Sequence, residues 1–508
     1  MIKTLRQAVF LRLTLFFSLG IFIQTQKDFY PFWIYFALLS LLILGISLSP
    51  KISSSYPFRW LFGAGLSLLC ISSAGILTHI NWAKSEWIEE PGLKNYRVQL
   101  IDEPERKPKT WMCRAKTNDK SVIIYIPIDS VSSSLKSSDW LSIKAHFEKM
   151  ELPYLRKQGI AARAFVAKNK WEILENYPQQ AFNLRFYSLK CRRIILDRLK
   201  LMLPDEKLFS IAAGITFGYV KEMDKETRQA FAATGCAHIL SVSGLHFAIL
   251  YSSLNFIFSF LGNKRRGRII RQIIILPLLW IFAFFTGMPP PVTRSVIMIT
   301  IWGLGNTFFI QSLTINTLGS AAFFMLLYNP LSLYDIGFQL SFCAVFAILL
   351  INPFLTSLYR SRNPIINYLW ELSCTSTSAQ IGVAPLSIYY FHQFPLLYLI
   401  SNIFAIPVTG ILMLLIPISL FVSFIFGIQP ELLFPLQKLL EIFIRVLNAL
   451  SEVPQGVISD IQLSITDAIS LTIAIIFSFL FIMKKRMIYL CLLIILVAFQ
   501  VFYYLCPF

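Results

Sequence analysis

Apolar residues come in long, nearly uninterrupted runs near 8–25, 30–48, 60–80, 236–262, 272–286, 292–310, 313–328, 335–358, 365–390, 396–426, 431–450, 466–483 and 487–505. A helix rises about 1.5 Å per residue, so about 20 apolar residues match the hydrocarbon core, and the pattern predicts about 11 to 13 membrane spans. It breaks between 81 and 205. There, short alternating runs at 96–101, 110–117, 122–128, 140–147 and 163–166, separated by Pro-, Ser- and Lys-rich stretches, predict strands. Five such strands in about 80 residues predict a small all-β domain of oligonucleotide-binding type; a small sandwich fits the alternation equally well. The predicted fold is a polytopic α-helical membrane protein carrying a small β domain. Its parts are N-terminal transmembrane helices (1–80), the β domain (81–178), an interfacial helix (179–205) and a helical domain (206–508).

Composition agrees with that class, since 56% of the 508 residues are hydrophobic and 15% aromatic, which excludes an ordinary soluble protein. The net charge of +19 acquires meaning from where it lies. Basic clusters at Lys3/Arg6/Arg12, Lys51/Arg59, Lys264/Arg265/Arg266/Arg268, Arg360/Arg362 and Lys484/Lys485/Arg486 all fall on the cytoplasmic side if the N-terminus is inside and the spans alternate. The first run has the basic flank of a signal peptide but no small-residue cleavage site, so it reads as an uncleaved anchor. The same alternation puts residues 81–205 on the outer face. They carry 23 Lys and Arg against 15 Asp and Glu, an excess that the positive-inside bias does not explain. Within them, Phe182, Leu184, Phe186, Leu189, Ile194, Ile195 and Leu199 interleave with Arg185, Lys190, Arg192, Arg193, Arg198 and Lys200. Such a helix suits either the headgroup layer or the guidance of a polyanion.

Metal and nucleotide chemistry find little support. The histidines at 79, 146, 238, 246 and 392 form no His-Glu-x-x-His pattern, and no phosphate-cradling Gly-x-x-x-x-Gly-Lys loop is present. The expectation is therefore a protein with no metal and no cofactor that is not an enzyme. Only Cys113 and Cys191 lie in the outer region, and no obligatory disulfide is expected. What stands out is polar chemistry inside the apolar runs. His238, Ser241, Ser243 and His246 occupy one run, on headings that no single narrow helix face holds, so a break at Ser243-Gly244 is expected. Close helix packing, with each His bonded to a neighbouring carbonyl, is the plainer use of the same residues. Arg294 follows Pro289-Pro290-Pro291, either snorkelling outward or facing an anion in a hydrated path, and Gln339, Ser341, Gln380 and Asn402 repeat the theme.

Five blocks carry a resemblance. Residues 212–218, 231–246 with their His-Ile-Leu-Ser-Val-Ser-Gly-Leu-His core, 286–295, 329–341, and 384–393 with Asn402 look like the signature of the ComEC-type competence family, and the outer segment around 151–161 is similar to that family's N-terminal domain. The resemblance implies an inner-membrane channel that passes one DNA strand to the cytoplasm during natural transformation, with an oligonucleotide-binding-type domain outside. Many members add a metallo-β-lactamase-like domain. The sequence ends at Phe508 without a His-x-His-x-Asp-His motif, so the expectation is the form lacking it. A separate nuclease, an outer DNA receptor and a cytosolic motor or strand-binding protein would then be partners, alongside single-stranded DNA and the bilayer.

A polyanionic strand in low dielectric needs water and cationic or hydrogen-bonding lining, while its bases stack on aromatics. Lys107, Lys109, Trp111, Arg114 and Lys116 are the expected DNA contacts, and strand alternation puts Trp111 and Cys113 on one face, Arg114 and Lys116 on the other. A solvated basic edge that blocks aggregation is the alternative. Two rival functions remain open from the residues alone: an ion-coupled transporter of an anionic small molecule or lipid-linked substrate, and an intramembrane hydrolase using Ser243 and His246.

Overall fold

The computed structural model describes residues 8–49, 58–84, 87, 92–102, 104–117, 120–129, 131–132, 135, 139–150, 159–174, 184–262, 264–307, 314–427 and 430–505. Lys3, Arg6, Lys51 and residues 151–158, which figured in the charge pattern and the outer-domain likeness, lie outside them. Three helices open the chain: α1 (Val9–Gln26), α2 (Tyr30–Leu48) and α3 (Arg59–Lys84). Eight strands follow: β1 (Lys94–Leu100), β2 (Glu105–Arg106), β3 (Thr110–Thr117), β4 (Lys120–Pro127), β5 (Trp140–Ala145), β6 (Phe147–Lys149), β7 (Ile160–Phe165) and β8 (Trp171–Ile173). The remainder is helical: α4 (Leu184–Met202), α5 (Glu206–Phe217), α6 (Lys225–Ala233), α7 (Gly244–Ile257), α8 (Arg265–Phe285), α9 (Pro290–Thr307), α10 (Thr314–Tyr328), α11 (Ile336–Ser357), α12 (Pro364–Phe391), α13 (Tyr398–Phe426), α14 (Pro430–Ser451), α15 (Ile465–Lys484) and α16 (Met487–Leu505). Phe394–Pro395 and Val457–Ile458 form a two-strand pair.

Each apolar run contains one of these helices. Among the described residues, eight helical segments are long and apolar enough to cross a membrane: α1, α2, Trp60–Trp82 of α3, Gly244–Leu261, α8, α11, α13 and α15. The protein is a polytopic helical membrane protein with a small β domain. The gap between eight and the about 11 to 13 spans read from the runs lies in helices that are shorter (Ile315–Tyr328, Met487–Ala498) or more polar, as are α9, α12 and α14. In α14, Lys438 and Arg445 pair with Glu441 at 2.9 and 3.6 Å along one face.

The chain divides into two compact units, Met1–Arg198 with Leu250–Gln339, and Leu199–Ile249 with Leu340–Phe508. In the first, small residues let helices meet. A Cβ on Gly75 would lie 2.5 Å from the Trp33 ring, and one on Gly20 would lie 2.2 Å from the Ile71 carbonyl oxygen. Helix α1 docks on α10, where the Thr14 hydroxyl donates to the Gly319 carbonyl at 2.8 Å and the Phe10 N–H to Asn316 at 2.9 Å.

The β domain belongs to the same unit and is a closed barrel. The sheet runs β6-β7-β4-β3-β1-β5-β8, with β4 and β7 parallel and the other pairs antiparallel. Strands β5 and β6 are separated only by His146, so β1 and β7 pair with two halves of one bent strand and the sheet closes on itself. Five main strands with this parallel pair make the oligonucleotide-binding type, not the sandwich that alternation also allowed. Its interior is filled by Val98, Leu100, Cys113, Ala115, Ile124, Ile126, Leu141, Ile143 and Phe147.

In the second unit, α5 starts at the cap of Asp205, which accepts from the Lys207 and Leu208 N–H groups, and it is buried from Leu208 to Phe217. Helix α11 meets α12 at Gly382, where a Cβ would stand 2.3 Å from that of Ala347.

Candidate functional site in the broken helix and the barrel

The run 236–262 is not one helix. Helix α6 ends at Ala233, Gly235 takes a left-handed turn (φ 73°), Ala237–Ile239 form a single 3-10 turn, and α7 begins only at Gly244. A Cβ on Gly235 would meet that of Tyr398 at 2.9 Å, so only glycine fits this corner. The break therefore exposes groups that a continuous helix would bury. His238, Ser241 and Gly244 are exposed, Ser243 is half-buried and His246 is 1% exposed.

Hydrogen bonding fixes the imidazole tautomers. His246 Nδ1 accepts from the Ser243 N–H at 3.1 Å, so that nitrogen holds a lone pair, and the Ser243 hydroxyl at 2.9 Å donates to it as well. The proton sits on the buried Nε2. Conversely, His238 Nδ1 lies 3.0 Å from the Gly235 carbonyl and donates to it. The Ser243–His246 pair has the distance of a nucleophile and its base, but the same nitrogen also takes a backbone N–H. That arrangement is a helix cap, formed by a side chain at the third residue of α7. Nearby, Cys236 Sγ is 3.8 Å from Asn402 Oδ1 on α13. Ser341 and Gln380 are half-buried on α11 and α12.

In the first unit, Arg294 is 3% exposed on α9 and does not snorkel; the Asp335 carboxylate attracts it. Asp335 also accepts from the Phe338 N–H at 2.8 Å at the start of α11, and Gln339 Nε2 donates to the Leu333 carbonyl at 3.0 Å. The same turn reaches α1, where the Tyr334 and Thr25 hydroxyls are hydrogen-bonded. At the α1–α2 turn, Asp28 accepts from Gln24 at 2.9 Å and pairs with His79 at 3.3 Å, and Tyr30 stacks on the His79 ring at 3.8 Å. Donation by Gln24, then by the Tyr30 N–H, holds the Asp28 carboxyl below its ordinary range.

Sequence reasoning did not single out Arg271. It is buried on α8 and bonded to Asn255 at 3.0 Å and to the Gly262 carbonyl at 2.7 Å, which ties α7 to α8 across their connection. Its signal was an arginine set directly before the run 272–286, about one turn beyond the Lys264–Arg268 cluster.

On the barrel, Arg114 and Lys116 are exposed and alternate with buried Cys113 and Ala115. Trp111 is half-buried against the barrel core instead of standing beside the cations. Lys107 pairs with Glu105 at 2.9 Å, and Lys109 is exposed in the β2–β3 turn. Helix α4 buries Ser188, Leu189, Leu196, Leu199 and Met202 and exposes Lys190, Arg193 and Lys200. It is docked to the end of α8 by the Ser188 hydroxyl, which donates to the Phe284 carbonyl, and by Arg192, which donates to Thr286 O at 3.2 Å. Cys113 and Cys191 are free thiols.

With this geometry in view, comparison with known proteins is decisive. The family model described as "Competence protein" matches residues 215–485, more than half of the chain. The chain belongs to the Competence protein family. The matched region contains the α6–α7 break, Arg294, Asp335, Gln339 and Asn402; the barrel lies before it. Among relatives, ComE operon protein 3 of Bacillus subtilis (strain 168) is 25% identical over 323 residues, 62% of this chain and 39% of that protein. An uncharacterized protein of Aquifex aeolicus (strain VF5) is 27% identical over 307 residues, 59% of this chain and 66% of that one. Uncharacterized protein YcaI of Escherichia coli (strain K12) is 25% identical over 219 residues, 39% and 27% of the two chains. The match to each thus spans less than two thirds of the relative's own length. No solved structure matches the chain.

Proposed function

We propose that this competence-family protein is an inner-membrane channel that passes single-stranded DNA to the cytoplasm during natural transformation. The observation that carries the reading is the interruption between α6 and α7, which lies inside the family-defining region and opens His238 and Ser241 at the level of an apolar run. A passing strand needs hydrogen-bonding groups that do not bind it tightly, and an imidazole and a hydroxyl supply them.

Topology supports the same reading. Arg192 and Ser188 of α4 hold the Thr286 end of α8, the Thr25 end of α1 bonds to Tyr334, and Gly159 at the start of β7 lies beside Leu331. The barrel and these turns thus gather at one end of the first unit. The Lys264–Arg268 cluster sits at the other end of α8, about 30 Å away for a helix of 21 residues. With the positive-inside bias, the barrel end would be periplasmic and the N-terminus cytoplasmic. A basic outer barrel would receive the strand, and an outer receptor, a separate nuclease and a cytosolic motor or strand-binding protein would act before and after it.

The test is transport. Proteoliposomes holding the full chain should admit a fluorescent oligonucleotide and should not accumulate small anions such as phosphate against an ion gradient. Accumulation of the anion with no oligonucleotide entry would replace the channel by an ion-coupled transporter.

A further inference from the structure

The outward face of the barrel carries a stacked aromatic pair at the edge of a small outer cluster, Ile123, Met150 and Ile160, on which Tyr125 and Met112 pack. On β3, β4 and β7 the inward positions are Cys113 and Ala115, Ile124 and Ile126, and Ala162 and Ala164. The outward positions fall into two cross-strand rows. One is Met112, Tyr125 and Phe165; the other is Arg114, Ile123 and Arg163. Tyr125 and Phe165 are stacked with ring centroids 4.7 Å apart and planes at 13°. Phe165 is 59% exposed, although Tyr125 is half-buried and the strands beneath are tightly packed. The Arg163 guanidinium lies 5.9 Å from the Phe165 ring centroid and also bonds Glu148 at 3.0 Å, so it is held in place beside the ring. Arg114 is exposed on the neighbouring strand.

An exposed phenyl ring on a water-facing barrel loses the hydrophobic gain of burial, and its stacked partner keeps its face flat and rigid. From this juxtaposition the geometry points to a stacking platform for an unpaired nucleobase, with Arg114 and Arg163 set to meet the adjoining phosphates. A flat ring flanked by cations fits a base joined to a phosphate. Bases inside a duplex are already stacked on both faces and cannot use it. The platform thus selects separated strand, so the reaction that unpairs or removes the second strand must act before the barrel is reached. This rests on the strand-passing reading above, and it assigns the contact to Tyr125 and Phe165, not to Trp111.

The experiment uses the full chain in lipid nanodiscs and fluorescence anisotropy with a mixed-sequence 15-nucleotide strand or a hairpin duplex. Phe165 is exposed, so its replacement leaves the barrel core intact. F165A and F165L are each expected to weaken single-strand binding roughly fivefold to hundredfold, the size of one lost base stack. Duplex binding should not change, and F165W should bind the single strand at least as well as the native chain. An F165L chain with native single-strand affinity would mean that apolar contact alone is used, as a lipid or protein partner would use it. That result, an unaltered F165A chain, or equal loss for strand and duplex would each overturn the platform. Binding is read without transport, so a chain that stacks bases but passes no strand refutes the channel and leaves the platform standing.

Discussion

Arg294 and Asp335 offer the sharpest energetic test, because the two partners differ in burial. Arg294 is 3% exposed, while Asp335 is half-buried and within reach of water. In D335N, the amide oxygen can still accept from the Phe338 N–H, now at 2.8 Å, so the start of α11 stays capped and only the charge is lost. The guanidinium then keeps its burial but loses the attraction of the Asp335 carboxylate. Removing one partner of a contacting, fully buried pair costs about 3–5 kcal/mol; Asp335 is half-buried and acts on Arg294 by electrostatic attraction, so the expected cost is smaller, about 1–2 kcal/mol. R294M is milder, about 1 kcal/mol, because the remaining carboxylate can hydrate and the methionine fills most of the space. The double variant R294M/D335N should recover part of the loss, giving a coupling of at least about 1 kcal/mol. Reversible unfolding of the purified chain in one mixed-micelle condition reads all four forms. A D335N chain no less stable than R294M, or strictly additive losses, would show that the pair is not coupled as its burial implies.

Two further outcomes follow from single residues. G235A should destabilise the chain by about 2–3 kcal/mol, combining the left-handed backbone penalty at φ 73° with the displacement of Tyr398, whereas G45A, inside α2 with nothing near its Cβ, should stabilise it by up to about 1 kcal/mol in the same melt. Asp28 should confer an acid limit on the α1–α2 turn. Its carboxyl is held low in the folded chain, so its contribution is present above the unfolded value of about 3.9 and is lost as pH falls through the lower folded value. Amide exchange at Asp28–Tyr30 should therefore quicken only below about pH 4, and D28N should abolish that dependence.

Helices and strands were legible because periodicity is a local property. Each apolar run contains a helix, and β3 spans residues 110–117, the run its alternation marked. Residues joined across long separations were less so. Arg294 was visible as an expensive charge, but Asp335 lies beyond all of α10, and nothing in the spacing pairs them. Barrel closure turns on His146, a single residue whose strand bends to serve two partners. Attention to a run rich in lysine and arginine favoured Trp111, whose own parity with Cys113 already implied an inward position. Tyr125 and Phe165 were not singled out by the sequence, because their alignment requires the parallel register of β4 and β7. The Ser243–His246 contact could be read as neighbours one helical turn apart, while its use as a cap depends on the helix beginning at Gly244.

The closure of the barrel through His146 also limits how other proteins can engage it. Among the described residues, the strands at its margins are β2 and β8, two and three residues long. Such short margins cannot template an added strand, so neither a receptor nor a second copy can recruit this module by extending its sheet. Whatever meets it must recognise side chains, and the module can stand in a crowded envelope without zipping to its neighbours.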